Sequence, residues 1–186
     1  MPLSILLILI IGRIMKLLLD KNDPVLRQVA ESVPKSEFGS SWLNELIQDM
    51  FLIMKERCAV GVAAPQIGVS KRVIVFSTAY TQRKNLEYSI PDTALINPSF
   101  NILSEEIQTD YEGCLNCGDI MGQVPRAMEI EYFGLDSDGK FICKRAHGLE
   151  ARILQHEIDH LNGYLFLDRI QDKKTLTTKS ELLGKI

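Results

Sequence analysis

The segment His156-Glu157-Ile158-Asp159-His160 constrains this chain most, because it requires a helix with one face turned toward a common point. Residues four apart lie one turn above each other, so the imidazoles of His156 and His160 can both reach one metal ion. Glu157 follows the first histidine and is placed to accept a proton from water held there. Two of the chain's three histidines stand here, flanked by apolar residues. The pattern therefore predicts a hydrolytic metal site, in preference to two histidines that fall four apart by chance on a solvated helix.

The composition predicts one globular domain. The chain has 186 residues, 46% of them hydrophobic and 24% charged, which is enough for one domain with its own core. A net charge of -3 without a basic block argues against direct nucleic-acid binding. Four cysteines in a chain of this length do not make a disulfide scaffold, so a reducing, cytoplasmic setting is favoured.

Residues 1–14 form an apolar extension of uncertain status, and residues 15–186 are predicted to form the single metallohydrolase domain. The apolar run within the first twelve residues is shorter than the roughly 20 residues that cross a bilayer, so no stable membrane span is expected. No basic residue precedes the run and no small-residue cleavage site follows it, unlike in a signal peptide. Because Met15 begins a normal-looking domain sequence, we favour an upstream start or extension over a membrane anchor.

The remaining patterns predict a mixed α+β domain with antiparallel strands. Apolar residues recur with helical spacing over Leu43–Met54, after serines that can cap a helix. Arg72–Phe76 is predicted as a buried strand, Ala94–Pro98 as a short strand stopped by its proline, and Ala127–Phe133 as a half-exposed strand. Gly163 is placed to end the helix that carries the two histidines.

Two histidines leave a catalytic metal site short of one ligand, since three protein ligands plus water is the usual arrangement. Cys114 is the strongest candidate, because a thiolate suits soft and borderline metals and Gly113 permits a close backbone beside it. Cys117 opens two other interpretations, a redox pair with Cys114 or a closed structural Cys2His2 zinc site that includes both histidines. The zinc interpretation gives no role to Glu157, and its cysteine-to-histidine separation far exceeds that of a small zinc finger. Catalysis is therefore favoured.

The stretch Gly61–Gly68 is rich in small residues, which let a backbone approach a ligand closely. Gln66 within it offers a neutral side-chain donor that could face a developing oxyanion. Taken alone, the stretch is better explained as a tightly packed turn with a surface glutamine.

Taken together, the three segments resemble the peptide deformylase family, in that family's order. The family pattern is G-x-G-L-A-A-x-Q, then E-G-C-L-S, then Q-H-E-x-D-H. The corresponding stretches here are Ala59–Gln66, Glu112–Asn116 and Gln155–His160, within a resemblance that covers roughly Leu17–Ile170. Three ordered motifs are highly specific, whereas any one of them would not be.

The resemblance implies a fold in which antiparallel β-sheets pack around a central helix that carries the H-E-x-x-H motif. It implies that Cys114, His156 and His160 hold one metal ion, commonly Fe²⁺ in this family, with Zn²⁺ or Ni²⁺ able to substitute. The substrate would be N-formylmethionyl nascent peptides near the ribosome, in the bacterial cytoplasm. The products would be formate and a free N-terminus.

The same resemblance implies a role for each residue around the metal. Glu157 would move the proton, while the Gln66 amide and the Leu115 backbone N–H would stabilise the charge that builds on the formyl oxygen. The backbone at Val60 and Gly61 would pair with the extended substrate, as an added strand does.

Three departures from the family pattern keep a catalytically altered deformylase-like protein as an alternative, beside an H-E-x-x-H peptidase. Asn116 replaces a serine, and Met121 falls where many members have arginine. Arg152 stands where many relatives are apolar, one turn before His156 on the same helical face. As a substrate-binding residue, it would narrow or polarise the pocket for the methionine side chain. Alternatively, it would swing out to solvent.

Overall fold

The computed structural model describes residues 9–10, 13–14, 17–82 and 86–184. The α-helices of this part are α1 (Ser41–Glu56), α2 (Gly148–Leu161) and α3 (Lys179–Leu183). Its strands are, in chain order, β1 (Leu9–Ile10), β2 (Arg13–Ile14), β3 (Gly61–Ala63), β4 (Val73–Phe76), β5 (Thr93–Ile102), β6 (Ile107–Gly113), β7 (Ile120–Ala127), β8 (Glu129–Leu135), β9 (Phe141–His147) and β10 (Thr177–Thr178). Of the extension predicted for residues 1–14, only the paired strands β1 and β2 belong to the described residues, and Met15 lies outside them.

Two antiparallel sheets enclose α2. One sheet has the strand order β3-β4-β5-β8-β9 and the other the order β10-β7-β6. Helix α2 packs against β3, β4, β8 and β9 of the first sheet and against β7 of the second. Its residues from Ala151 to Leu161 are buried apart from His156, which keeps a small exposed fraction. The predicted α+β fold with a central H-E-x-x-H helix is thereby confirmed.

Helix α1 covers the β3–β4 end of the larger sheet, as its apolar spacing predicts. Ser40 caps it by accepting a hydrogen bond from the Leu43 backbone N–H at 3.1 Å. Its buried side chains share one apolar cluster with Val62, Val73 and Val75 of the sheet. Among the described helices, none is long and apolar enough to cross a membrane.

The prediction that Pro98 ends a strand was wrong, because β5 continues through it to Ile102. The pairing of β5 with β8 shifts register between Ile96 and Ser99, and Asn97 adopts a φ of 53°. The Asn97 side chain accepts from the Val33 N–H at 2.8 Å and donates to the Val33 carbonyl at 2.9 Å. Such a bulge is where a strand can accommodate a proline, which donates no ladder hydrogen bond.

Strands β6 and β7 form a hairpin that holds Cys114 at its turn. They pair from Ile107 with Ala127 to Gly113 with Met121, and a short 3₁₀ helix, Leu115–Cys117, lies between them. The third predicted ligand therefore follows directly on the last residue of β6.

Candidate metal centre

The three predicted ligands meet at one point between the sheets. One ligand atom from each of Cys114, His156 and His160 lies within 4.8 Å of the other two. Cys114 Sγ is 3.3 Å from His160 Nε2, and the two imidazole centroids are 5.0 Å apart. One thiolate and two imidazoles are the donors that borderline divalent metals prefer.

Cys117 is not a member of this group. It is buried in the same apolar cluster as Cys114, together with Leu26 and Phe166, and its backbone N–H donates to the Cys114 carbonyl at 2.9 Å. The two thiols are joined by a hydrogen bond, but the Cys117 sulfur is not grouped with the histidine ligand atoms. The cluster of metal-ligating atoms found among the described residues contains one cysteine, which leaves a coordination position for water or substrate. The geometry thus favours an open site over the closed Cys2His2 alternative.

Glu112 orients the first histidine. Its Oε2 lies 2.9 Å from His156 Nδ1, which leaves Nε2 of that ring for a metal. Arg126 binds the same carboxylate twice, from Nε to Oε1 and from Nη2 to Oε2, each at 3.0 Å. Burial alone would raise the pKa of Glu112, but the hydrogen bonds from His156 and Arg126 hold that pKa well below its usual range. Glu112 is therefore a fixed carboxylate behind the ligand.

The charged network continues into the H-E-x-x-H motif through Asp159. Arg126 Nη1 donates to Asp159 Oδ2 at 2.6 Å, and Arg169 Nη2 donates to Asp159 Oδ1 at the same distance. The Arg169 guanidinium also lies 4.5 Å from the centre of the Tyr164 ring. These contacts connect α2 to β7 and to the segment that follows the helix.

Glu157 is buried next to His156 and close to β3. A Cβ atom at Gly61 would lie 2.4 Å from Glu157 Oε1, so only glycine leaves room for the carboxylate. Burial raises the pKa of Glu157 to about 7. Its Oε2 has no hydrogen-bond partner among the described residues. Three mutually close ligand atoms, beside a buried carboxylate oxygen that has no partner in the described part of the chain, fit a metal ion with a water molecule.

Gln66 lies in the interior and not at the surface. Its Oε1 accepts from the Ala63 N–H at 2.7 Å, and its Nε2 lies 2.8 Å from Asn116 Oδ1 and 3.4 Å from Cys114 Sγ. Asn116 in turn donates to the Leu19 carbonyl at 2.7 Å and to the Gln66 carbonyl at 3.1 Å. The amide is therefore fixed beside the thiol, and the turn-with-surface-glutamine alternative is wrong.

Comparison with known proteins decides the family. The sequence model described as polypeptide deformylase matches residues 15–176. Peptide deformylase 1 of Nitrosomonas europaea is 42% identical over 157 residues, which are 84% of this chain and 88% of that protein. The chain belongs to the peptide deformylase family. It is accordingly a hydrolase of a metal-dependent family.

Other members of the peptide deformylase family extend the similarity. The mitochondrial peptide deformylase of Homo sapiens is 35% identical over 165 residues, 84% of this chain and 68% of that protein. The Met-Ala-Ser-bound crystal structure of a class I type b peptide deformylase from Acinetobacter baumannii superposes with a TM-score of 0.77 at 36% identity. That similarity covers 84% of this chain and 99% of the other.

The residues expected to contact substrate in a deformylase lie around this centre. Leu115 directly follows Cys114 and begins the 3₁₀ helix. Val60 precedes β3, and Gly61 begins this edge strand, which is paired within the five-stranded sheet to β4 alone. No other strand of the described residues pairs with the second side of β3 within this sheet. Met121 packs over Gly113, whose Cβ would lie 2.5 Å from the Met121 sulfur.

Arg152 does not swing out to solvent, so that alternative is wrong. Arg152 is only 6% exposed, and its guanidinium donates a hydrogen bond to Glu112 in the interior. The residue also lines a cavity of about 200 Å³ together with Leu149 and Met128.

The sequence analysis assigned no role to Glu112 or to Asp159. Both stand inside the family motifs, and that position was the signal from which a role could have been inferred.

Proposed function

We propose that this chain removes the N-formyl group from N-formylmethionyl nascent peptides and releases formate. The observation that carries the proposal is the group of Cys114, His156 and His160 with the buried Glu157 beside it. We further propose Fe²⁺ as the native ion, with Zn²⁺ or Ni²⁺ as substitutes, since the donor set of one thiolate and two imidazoles accepts all three.

An ion at Cys114, His156 and His160 would supply Lewis-acid character and lower the pKa of water at the open position. Glu157 would accept a proton from that water on its carboxylate and would then return it to the leaving amine. Its burial keeps this transfer away from bulk solvent. Cleavage of a formamide bond requires a group that acts first as a base and then as an acid.

The charge that develops on the formyl oxygen needs donors that are already in place. The Gln66 amide, fixed beside Cys114, and the backbone N–H of Leu115 are the proposed donors. One such donor is typically worth about 3 kcal/mol of barrier lowering. The open side of β3 at Val60 and Gly61 would receive the peptide as an added strand, which aligns its N-terminus with Glu157.

N-formylated nascent peptides arise during translation, so we propose that the protein acts near the ribosome in the bacterial cytoplasm. The test is formate release from formyl-Met-Ala-Ser by the ferrous protein, prepared without oxygen because a thiolate-bound ferrous site is oxidation-sensitive. Formate release supports the proposal. Cleavage at internal peptide bonds would instead favour a peptidase, and tightly held zinc without turnover would favour an inactive or structural protein.

A pair of variants tests the role of Glu157. Glu157→Ala is expected to keep the metal and to lose formate release, because the three ligands are untouched while the proton acceptor is gone. Glu56→Ala, an exposed change at the end of α1, is the matched control and should keep both properties. Wild-type turnover by Glu157→Ala would refute the mechanism.

A further inference from the structure

Arg152 joins the central helix to both strands of the hairpin that carries Cys114. Its Nη1 donates to Glu112 Oε1 at 2.8 Å and to the Val124 carbonyl of β7 at 2.9 Å. Its Nη2 donates to the Gln108 carbonyl of β6 at 2.7 Å. The side chain is only 7% exposed, and these three hydrogen bonds hold its guanidinium on the inner side of the helix. The part of Arg152 that lines the neighbouring cavity is therefore mainly its aliphatic stem.

The carboxylate that Arg152 holds is the one that orients His156. Glu112 Oε1 receives Arg152 and Arg126 together, while Oε2 faces His156 Nδ1 and receives the second bond from Arg126. Charge-assisted hydrogen bonds from two guanidinium groups oppose rotation of the carboxylate. Arg126 also binds the carboxylate of Asp159, whereas the one carboxylate to which Arg152 donates among the described residues is Glu112.

We propose that Arg152 is a positioning residue of the metal centre. It fixes Glu112 against β6 and β7, and Glu112 thereby sets the orientation of His156. The proposal rests on the metal site of the proposed function and assigns Arg152 to the metal, whereas the sequence interpretation assigned it to the substrate. A residue that acts through a ligand's hydrogen-bond partner typically changes metal affinity by 10- to 100-fold when it is removed.

The test measures Co²⁺ binding by the metal-free chain against a competing chelator, together with the visible absorption of the Co²⁺ form. Arg152→Met keeps the length of the stem and removes the guanidinium, and it is expected to weaken Co²⁺ binding by about tenfold and to alter the absorption bands. The Co²⁺ affinity of Arg152→Lys should lie between those of the wild type and Arg152→Met, because one ammonium group cannot reach all three acceptors. With saturating metal, kcat should fall while the KM for formyl-Met-Ala-Ser stays unchanged.

Arg72→Met is the control, because Arg72 is a partly buried arginine that, like Arg152, donates to backbone carbonyls. It donates to the Leu161 carbonyl at 3.4 Å, the Pro98 carbonyl at 3.0 Å and Asn162 Oδ1 at 2.9 Å. None of these acceptors belongs to Glu112, so Arg72→Met should leave the Co²⁺ affinity unchanged. An equal loss of affinity in this control would overturn the proposal, since the effect would then be general loss of packing.

The remaining outcomes separate this inference from the proposed function. Wild-type Co²⁺ affinity and spectrum in Arg152→Met would overturn the inference alone, as would a change in KM with unaltered metal binding, which marks a substrate contact. If Arg152→Met does not fold, Arg152→Gln, which keeps a donor and loses the charge, decides by the same criteria. Failure of the wild-type chain to bind Co²⁺ would refute the metal site itself.

Discussion

An alanine at Gly61 would collide with the residue that we assign as the proton carrier. The added Cβ would lie 2.4 Å from Glu157 Oε1, 2.8 Å from its Cδ and 2.9 Å from its Cγ. Ordinary contact begins at 3.4 Å, so the carboxylate and β3 must separate by 1.0 Å (3.4 minus 2.4). Because Glu157 is buried, that displacement moves the carboxylate relative to the ligand atoms of Cys114, His156 and His160.

A shift of about 1 Å in a reacting group can cost on the order of 100-fold in rate. We therefore expect Gly61→Ala to lower kcat for formate release by about 100-fold. Alanine keeps the backbone N–H and carbonyl of β3, so strand pairing with the peptide survives and KM should change little. Metal content should also stay at the wild-type level, because none of the three ligands is touched.

Gly134→Ala is the matched control, because it creates a similar overlap away from the metal centre. A Cβ at Gly134 would lie 2.6 Å from the Leu95 side chain. This variant should unfold at a lower temperature and yet keep its kcat. Formate-release kinetics, metal analysis and thermal unfolding on both variants make the comparison. If Gly61→Ala turns over like wild type, the assignment of Glu157 as proton carrier at this place is refuted.

Three further predictions concern the site and its neighbours. Cys117→Ala should retain the metal whereas Cys114→Ala loses it, as elemental analysis after gel filtration would reveal; metal loss in Cys117→Ala would revive the closed zinc site. Asn116→Ala leaves the Gln66 amide without its oxygen partner and should lower the free energy of unfolding by about 1–3 kcal/mol in urea titrations; an unchanged midpoint would count against this. In the metal-free chain, burial raises the pKa of Glu157 from an ordinary 4.5 to about 7, so the folded state holds a proton that the unfolded state releases, and stability falls as pH rises through that window. Glu157→Gln has no such titrating group. Its free energy of unfolding relative to wild type should therefore rise by roughly 3 kcal/mol between pH 4.5 and pH 7. A difference that stays constant with pH would contradict the pKa shift.

The sequence alone predicted the parts of the site that depend on local spacing. The four-residue interval of His156 and His160 fixes their common face wherever the helix lies, and Gly113 marks a backbone that must come close to a neighbour. Gly113 beside it made Cys114 the strongest candidate for the third ligand, and the family resemblance supported that choice over the alternatives that involve Cys117. Both cysteines lie in one buried apolar cluster, and what distinguishes Cys114 in the structure is that its sulfur groups with the ligand atoms of His156 and His160.

The elements that were missed depend on contacts between distant segments. Strand β5 continues through Pro98 because Asn97 binds the backbone of Val33, 64 residues earlier. Gln66 is buried because Asn116, 50 residues later, accepts its amide. The direction of Arg152 follows from the carbonyls of β6 and β7, which no pattern along α2 reveals. In each case the local preference was correct for an isolated segment and was overridden by tertiary packing.

The buried charges around Glu112 and Asp159 are better explained by geometry than by stability. Removing paired charges from water costs several kcal/mol per ion, and well-packed apolar replacements of such clusters are often as stable or more stable. An apolar cluster would hold α2 between the sheets, but it would not fix which nitrogen of His156 carries the proton. Glu112 does so through a single hydrogen bond, and Arg126 and Arg152 hold Glu112 in place. The charge network therefore fixes the ring of His156, which is the contribution that we propose for it at the metal centre.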